Sequence, residues 1–262
     1  VSVLGLAALT LVAIPQLSAA ATLQPPKLPG LQGTWNLSFD SEFTGPRLDT
    51  TEWQPGWFGW GTSGPINSTT EKACYSSRNI ALVKGAAYMN LTATPAHCAG
   101  QTLPYTGSIL SSNPKGRKDG GGFQFTYGLV EARVYVPAKG GQLADWPAIE
   151  TFGQHWPNDG EDDILEVLDG QACYRFHSLA NVVVGNGNCL TRFHSGWNLI
   201  AANWEPGSVT YYYNGVQVGH VASGVTNAPM YLILVNTVSA KYPQRWKPDT
   251  VRVDWVRVWQ KA

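Results

Sequence analysis

Trp146 to Glu166 reads WPAIETFGQHWPNDGEDDILE, and its last seven residues, GEDDILE, decide how the chain folds. Four carboxylates occupy the six positions from Glu161 to Glu166, in a chain that is only 14% charged. Ile164 and Leu165 sit among them, so this is no solvated acidic tail. In a strand, side chains alternate between faces, and Glu161 and Asp163 point the same way. Glu166 would point the opposite way. One β-bulge between Asp163 and Glu166 restores the parity. Glu161, Asp163 and Glu166 then share one face, with Asp163 between the two glutamates.

Carboxyls so placed have a chemical use. A glycosidic bond is cut by two of them: one attacks or activates water, and the other protonates the leaving oxygen. A mechanism that retains configuration needs them roughly 5–5.5 Å apart. Four strand steps separate the backbones by about 13 Å. Sheet curvature and two long, inward-leaning glutamates can close that gap. Crowding is expected to split their proton affinities, like charge raising one pKa and hydrogen bonding lowering another. The hexamer by itself fits a calcium-binding or solvated acidic patch as well.

The rest of the chain agrees with a neutral, polar partner. Of 262 residues, 18 are Lys or Arg and 18 are Asp or Glu, so the formal net charge is zero. That balance argues against an electrostatic grip on nucleic acid or anionic lipid. The chain carries 11 Trp, 11 Tyr and 8 Phe. Flat rings with little charge suit sugars, although most rings in any protein fill its core. A chain this long can bury a sizeable core as one domain.

Residues 1–22 read VSVLGLAALTLVAIPQLSAAAT, an apolar run followed by small residues of the A-x-A kind. It is expected to be an export signal whose start lies upstream of Val1, cleaved near Ala19 to Ala21. The mature protein is then expected to be secreted, without a membrane segment; an amino-terminal anchor is the alternative. Residues 23–32 form a Pro-rich lead-in, and 33–262 are read as one domain. Cys74, Cys98, Cys173 and Cys189 suit an oxidising compartment and lack any C-x-x-C zinc spacing. Of three possible pairings, Cys74–Cys98 and Cys173–Cys189 are favoured, since each closes one loop between neighbouring strands. Asn36, Asn67 and Asn90 begin N-x-S/T sequons.

From Trp35 onward the pattern is short strands separated by turn residues. GLVEARVYVP puts Val130, Ala132, Val134 and Val136 on one face and Glu131, Arg133 and Tyr135 on the other. Asn214-Gly215 is a type I′ hairpin signal between two strands. APMYLILVNTV and TVRVDWVRVWQ are further strands, and no three-turn amphipathic helix is evident. With 28 Gly and 17 Pro, the chain reads as an all-β, antiparallel sandwich.

WPAIETFGQHWPNDGEDDILE resembles the active-site region of glycoside hydrolase family 16. The likeness runs in order on both sides, through FDSEFTGPRLDTTEW, EKACYSSRNIAL, GGFQFTYGLVEARVYVP, NWEPGSVTYYYNG, NAPMYLILVNTV and VRVDWVRVWQ. It covers about Gly33 to Gln260. It implies a concanavalin-like β-jelly roll of two antiparallel sheets with a concave substrate cleft. It also implies endo-acting, retaining cleavage of a β-linked polysaccharide. By position, Glu161 would be the nucleophile and Glu166 the acid/base, with Asp163 holding Glu161 and tuning both. The bulged spacing is that of laminarinase-like members, which favours β-1,3- or mixed β-1,3/1,4-glucan. Agarases and galactanases share it.

The Gly-rich loop PGWFGWGTSG, the flanks of the catalytic strand and, for Glu71, His177, Asn236 and Asp254, the resemblance itself suggest further contacts. Trp57, Phe58 and Trp60 are expected at the cleft rim, Trp146 and Trp156 beside the catalytic strand, and Glu71 and His177 within hydrogen-bonding reach of sugar. Asn236 is expected under the cleft, orienting a catalytic carboxylate. Asp254 resembles a position that contributes to a structural calcium site; the chemistry itself requires no cofactor or metal. Two residues depart from the pattern. Asp162 replaces a branched aliphatic residue and should point between the sheets, where it needs a partner such as Arg133 or Arg175. Glu150 stands where an aromatic wall is usual, able to bind sugar hydroxyls or to raise its neighbours' pKa values. The segment Thr106–Ile109 also lacks an arginine that the family places in the cleft. The expectation is a secreted, monomeric endo-glucanase acting on polysaccharide. A noncatalytic carbohydrate-binding protein, a transglycosylase and a galactan or agar hydrolase are the alternatives.

Overall fold

The computed structural model describes residues 23–57, 64–65, 69–139, 141–182, 185–191, 193–241 and 249–262. The proposed signal, Phe58, Trp60 and the Asn67 sequon lie outside the described residues.

Two eight-stranded sheets pack face to face. The outer sheet holds β1 (Trp35–Ser41), β3 (Ile80–Val83), β4 (Ala86–Asn90), β9 (Gly128–Val136), β16 (Gly196–Glu205), β17 (Ser208–Tyr213), β18 (Val216–Val221) and β20 (Thr250–Lys261). Its order is β18-β17-β16-β9-β20-β4-β3, with β1 also on β20. The groove sheet holds β2 (Ala73–Tyr75), β7 (Tyr105–Ser111), β8 (Gln124–Phe125), β12 (Trp146–Gly153), β13 (Glu161–Leu168), β14 (Gln171–His177), β15 (Asn186–Cys189) and β19 (Met230–Thr237). Its order is β15-β14-β13-β12-β19-β7-β2, with β8 on β19. Two small ribbons, β5 (Ala96–Cys98) with β6 (Gln101–Leu103) and β10 (Ala138–Lys139) with β11 (Gln142–Leu143), complete the strands among the described residues.

The sequence alternation builds the core. Val130, Ala132, Val134 and Val136 meet Ile164, Leu165, Val167, Leu232 and Leu234 from the facing sheet. The expected hairpin forms: Asn214 and Gly215, with φ of 51° and 80°, join β17 to β18. Both expected disulfides form, and Cys173 and Cys189 are direct cross-strand partners. One pairing departs from the antiparallel expectation. β2 runs parallel to β7, because the long connection through residues 76–104 lets the chain return in the same direction.

The lead-in is part of the packed body. Leu28 and Leu31 cover Leu129, Ala201, Tyr212 and Trp259 on the outer sheet's far face, and Tyr212 donates a hydrogen bond to the Pro29 carbonyl at 2.9 Å. Of the sequons, Asn36 is exposed. Asn90 spends its amide inside the sheet, donating to the Asn79 carbonyl and accepting from Thr250.

Candidate active-site groove

The parity argument for β13 is met by a real register slip. Against β14, Asp163 faces Arg175 and Glu166 faces Cys173; against β12, Glu150 faces Asp163 and Ile149 faces Leu165. One extra residue of β13 is accommodated between them. Ile164 and Leu165 therefore both enter the core, although they are adjacent in sequence. Glu161 and Glu166 then line the same cleft, of about 710 Å³, on the face away from the core. Asp163 opens to that side as well, its Oδ2 lying 3.2 Å from His177 Nε2.

Neighbouring strands supply the cleft's other walls by the same alternation. β12 contributes Trp146, Ala148, Glu150 and Phe152, and β14 contributes Arg175 and His177. Glu150 thus enters the groove, as its position suggested. One carboxylate oxygen from each of Glu150, Glu161 and Asp163 lies within 4.8 Å of the other two.

Each glutamate of β13 is held by a tryptophan. Trp156 Nε1 donates to Glu161 Oε2 at 2.6 Å, and Trp146 Nε1 donates to Glu166 Oε1 at 2.9 Å. Trp156 also stacks on Phe152 with ring centroids 6.4 Å apart, and is 43% exposed. His177 is held at both ends, by Asp163 and by the Val182 carbonyl at 3.2 Å from Nδ1. Glu71 accepts a hydrogen bond from Tyr75 at the groove's far side.

Burial dominates the proton affinities. Burial and then the Asp163 charge push Glu166 up to about 8, against the pull of Trp146, His177 and Arg175. Burial and Asp163 also raise Glu161, opposed by the His177 charge and the Trp156 N–H. Glu150 is raised by burial first, then by the charges of Asp163 and Glu161. Burial would lower His177, but the hydrogen bond and charge of Asp163, with the charge of Glu161, lift it to about 9. The expected split into one raised and one lowered carboxyl does not occur: desolvation raises both glutamates.

Several expected contacts move. Trp57 is no rim platform: it is buried at 7% exposure, packed edge-on against Tyr75 and tilted against Phe152 in the groove wall. Asn236 faces the core side of β19, because Val235 and Thr237 on either side of it face the groove. Its amide donates to the Met89 carbonyl and to Asp249 at 3.0 and 2.9 Å, not to a groove carboxylate. Asp162 does point between the sheets, yet neither arginine meets it there. Its partner is Tyr211, whose hydroxyl donates at 2.6 Å. Arg133 pairs instead with Asp254 at 2.6 Å on the outer face, which engages the carboxylate named for calcium. Arg175 lies in the groove, with Nε 3.7 Å from Glu166 Oε2. Alternation with His177 on β14 was the signal for it, and it brings a guanidinium where Thr106–Ile109 has none.

No protein-family model matches the sequence, and no curated protein matches it. Solved structures do match in fold. The catalytic domain of an endo-1,3-β-glucanase (laminarinase) from Thermotoga petrophila superposes with a TM-score of 0.72 at 20% identity, covering 88% of this chain and 99% of its own. An endo-β-1,3-glucanase from Pyrococcus furiosus gives 0.71 at 21%, covering 88% and 96%. SCLam, a non-specific endo-β-1,3(4)-glucanase from family GH16, gives 0.72 at 21%, covering 91% and 95%. The chain is thus a jelly-roll sandwich with the fold of these enzymes.

Proposed function

We propose that this chain is a secreted, retaining endo-glycosidase acting on β-1,3- or mixed β-1,3/1,4-glucan. The observation that carries the reading is the slip in β13, which sets Glu161 and Glu166 on one groove face with Asp163 between them. Glucanases of the same fold support the substrate class. The two disulfides favour an oxidising compartment.

In the first step Glu161 attacks the anomeric carbon, and Glu166 gives its proton to the leaving glycosidic oxygen. In the second, Glu166 takes a proton from water, which displaces Glu161 from the sugar. The raised affinity of Glu166 keeps the acid loaded at neutral pH. The Trp156 N–H and the His177 charge oppose the burial and the Asp163 charge that raise Glu161, and so favour the ionised form that the attack requires. The exposed Trp156 ring offers a stacking surface beside the cleaved sugar, and Glu150 offers hydrogen bonds to hydroxyls.

The test is a screen on laminarin, lichenan, agarose and β-1,3-galactan, with products sized and their anomeric configuration followed by NMR. Release of β-configured oligosaccharides from laminarin or lichenan is expected. Binding without release of reducing ends overturns hydrolysis in favour of a binding protein. Longer products with excess acceptor indicate transglycosylation, and cleavage confined to agarose or galactan reassigns the substrate.

A further inference from the structure

Two phenols reach the back of β13 from the opposite sheet. Tyr211 Oη lies 2.6 Å from Asp162 Oδ1 and 3.3 Å from the Arg175 carbonyl oxygen. Tyr213 Oη lies 2.7 Å from the Ile164 carbonyl oxygen and 3.1 Å from that of Cys173. Each ring therefore touches one group on β13 and one on β14. The slip falls between them: Asp163 faces Arg175 on one side and Glu166 faces Cys173 on the other.

Tyr213 meets the bulge at its unpaired position. Ile164 is opposite no residue of β12 or β14. A buried carbonyl needs a donor, and at this irregular position Tyr213 supplies one. Tyr211 supplies another, to Asp162. Asp162 is 2% exposed, and burial, opposed by Tyr211, raises its pKa to about 8. At neutral pH the carboxyl and the phenol thus hold two protons between them, enough to satisfy each other and the Arg175 carbonyl. Asp162 also lies between Glu161 and Asp163, so anchoring its side chain at the back fixes how both neighbours project at the front.

We propose that Tyr211 and Tyr213 are positioning residues, a two-point clamp that fixes the β13 bulge from behind and so sets the groove carboxylates; its effect on turnover rests on the glycosidase reading above. A shift of about 1 Å in a reacting group costs on the order of a hundredfold in rate. The clamp has a built-in control: Tyr212, between the two, points outward to Pro29.

The experiment compares Tyr211→Phe, Tyr213→Phe and the double variant with Tyr212→Phe. The readouts are kcat and KM on laminarin, and the His177 titration by imidazole NMR. Each inner variant is expected to lose about tenfold in kcat and the double variant about a hundredfold, with KM held. His177, which titrates near 9 beside Asp163, is expected to move by about half a pH unit or more. Tyr212→Phe leaves all three unchanged. Asp162→Asn, which keeps the acceptor for Tyr211, retains wild-type kcat, whereas Asp162→Ala follows Tyr211→Phe. Folded inner variants with wild-type kcat overturn the clamp. If the inner variants do not fold, equal kcat for Asp162→Asn and Asp162→Ala overturns it. If the wild-type protein cleaves no glycan, the glycosidase reading fails separately, and an unmoved His177 titration overturns the clamp.

Discussion

β9 and β13 are both central strands with two antiparallel neighbours, yet one is regular and the other is not. β9 keeps strict alternation, and the slip against it lies in β20 at Asp254. Its acid, Glu131, faces outward beside Arg257, with a pKa raised by burial to about 7. β13 breaks alternation once and sends two consecutive apolar residues inward. The regular strand can only present every second residue to one side. The irregular strand gathers acids on one side that regular geometry would have divided. In this fold, regular pairing builds the wall and a single misfit residue aims the chemistry.

The largest expected effect tests that contrast directly. Glu161→Gln and Glu166→Gln are each expected to reduce laminarin turnover by on the order of 10⁴-fold or more. Glu131→Gln on β9 should leave it unchanged. Near-normal turnover by folded Glu161→Gln would remove the nucleophile assignment.

Next comes packing. Leu165, one of the two consecutive inward residues at the slip, is 1% exposed. Leu165→Ala is expected to destabilise the fold by about 2–5 kcal/mol in urea denaturation. A loss well under 1 kcal/mol would mean that the bulge contributes no core contact.

A smaller effect lies in the pH profile. Glu166 is the proposed acid with a pKa near 8, so kcat/KM should fall as pH rises past about 8. The nearby Arg175 charge lowers that value, so Arg175→Met should move the alkaline limb to higher pH. A limb that does not move, measured with the same substrate, would separate Arg175 from the acid.

The smallest concerns stability against pH. Asp162 rises from an ordinary 3.8 to about 8 on folding, chiefly through burial. A carboxyl raised in this way stabilises the fold fully below about 3.8, and the contribution is lost as pH climbs through about 8. Asp162→Asn removes that titration. The Tm of the variant relative to the wild type should therefore become more favourable between pH 5 and pH 9. A constant difference would show that Asp162 does not titrate in this window.

How much of this was legible followed from how local each signal is. β9, the Asn214-Gly215 hairpin and both disulfides rest on residues near in sequence, and all were readable. The bulge was readable because Glu161 and Glu166 have the wrong parity for one face. Asp162's partner was not, since Tyr211 lies 49 residues away on the other sheet, where no local pattern joins them. Asn236 was misplaced because position was weighed above parity: Val235 and Thr237, its neighbours, take the groove face. Trp146 and Trp156 were expected beside the catalytic strand. That their N–H groups also hold the two glutamates depends on ring orientation, which composition does not encode.

The lead-in carries a practical lesson. Leu28 and Leu31 roof an oily patch made by Leu129, Ala201, Tyr212 and Trp259. A recombinant version trimmed to begin at Gly33, where the sequence pattern opens the domain, would strip that roof and leave the patch wet. Such a protein should clump on storage even with its groove intact, so the cut for laboratory production belongs ahead of Pro25.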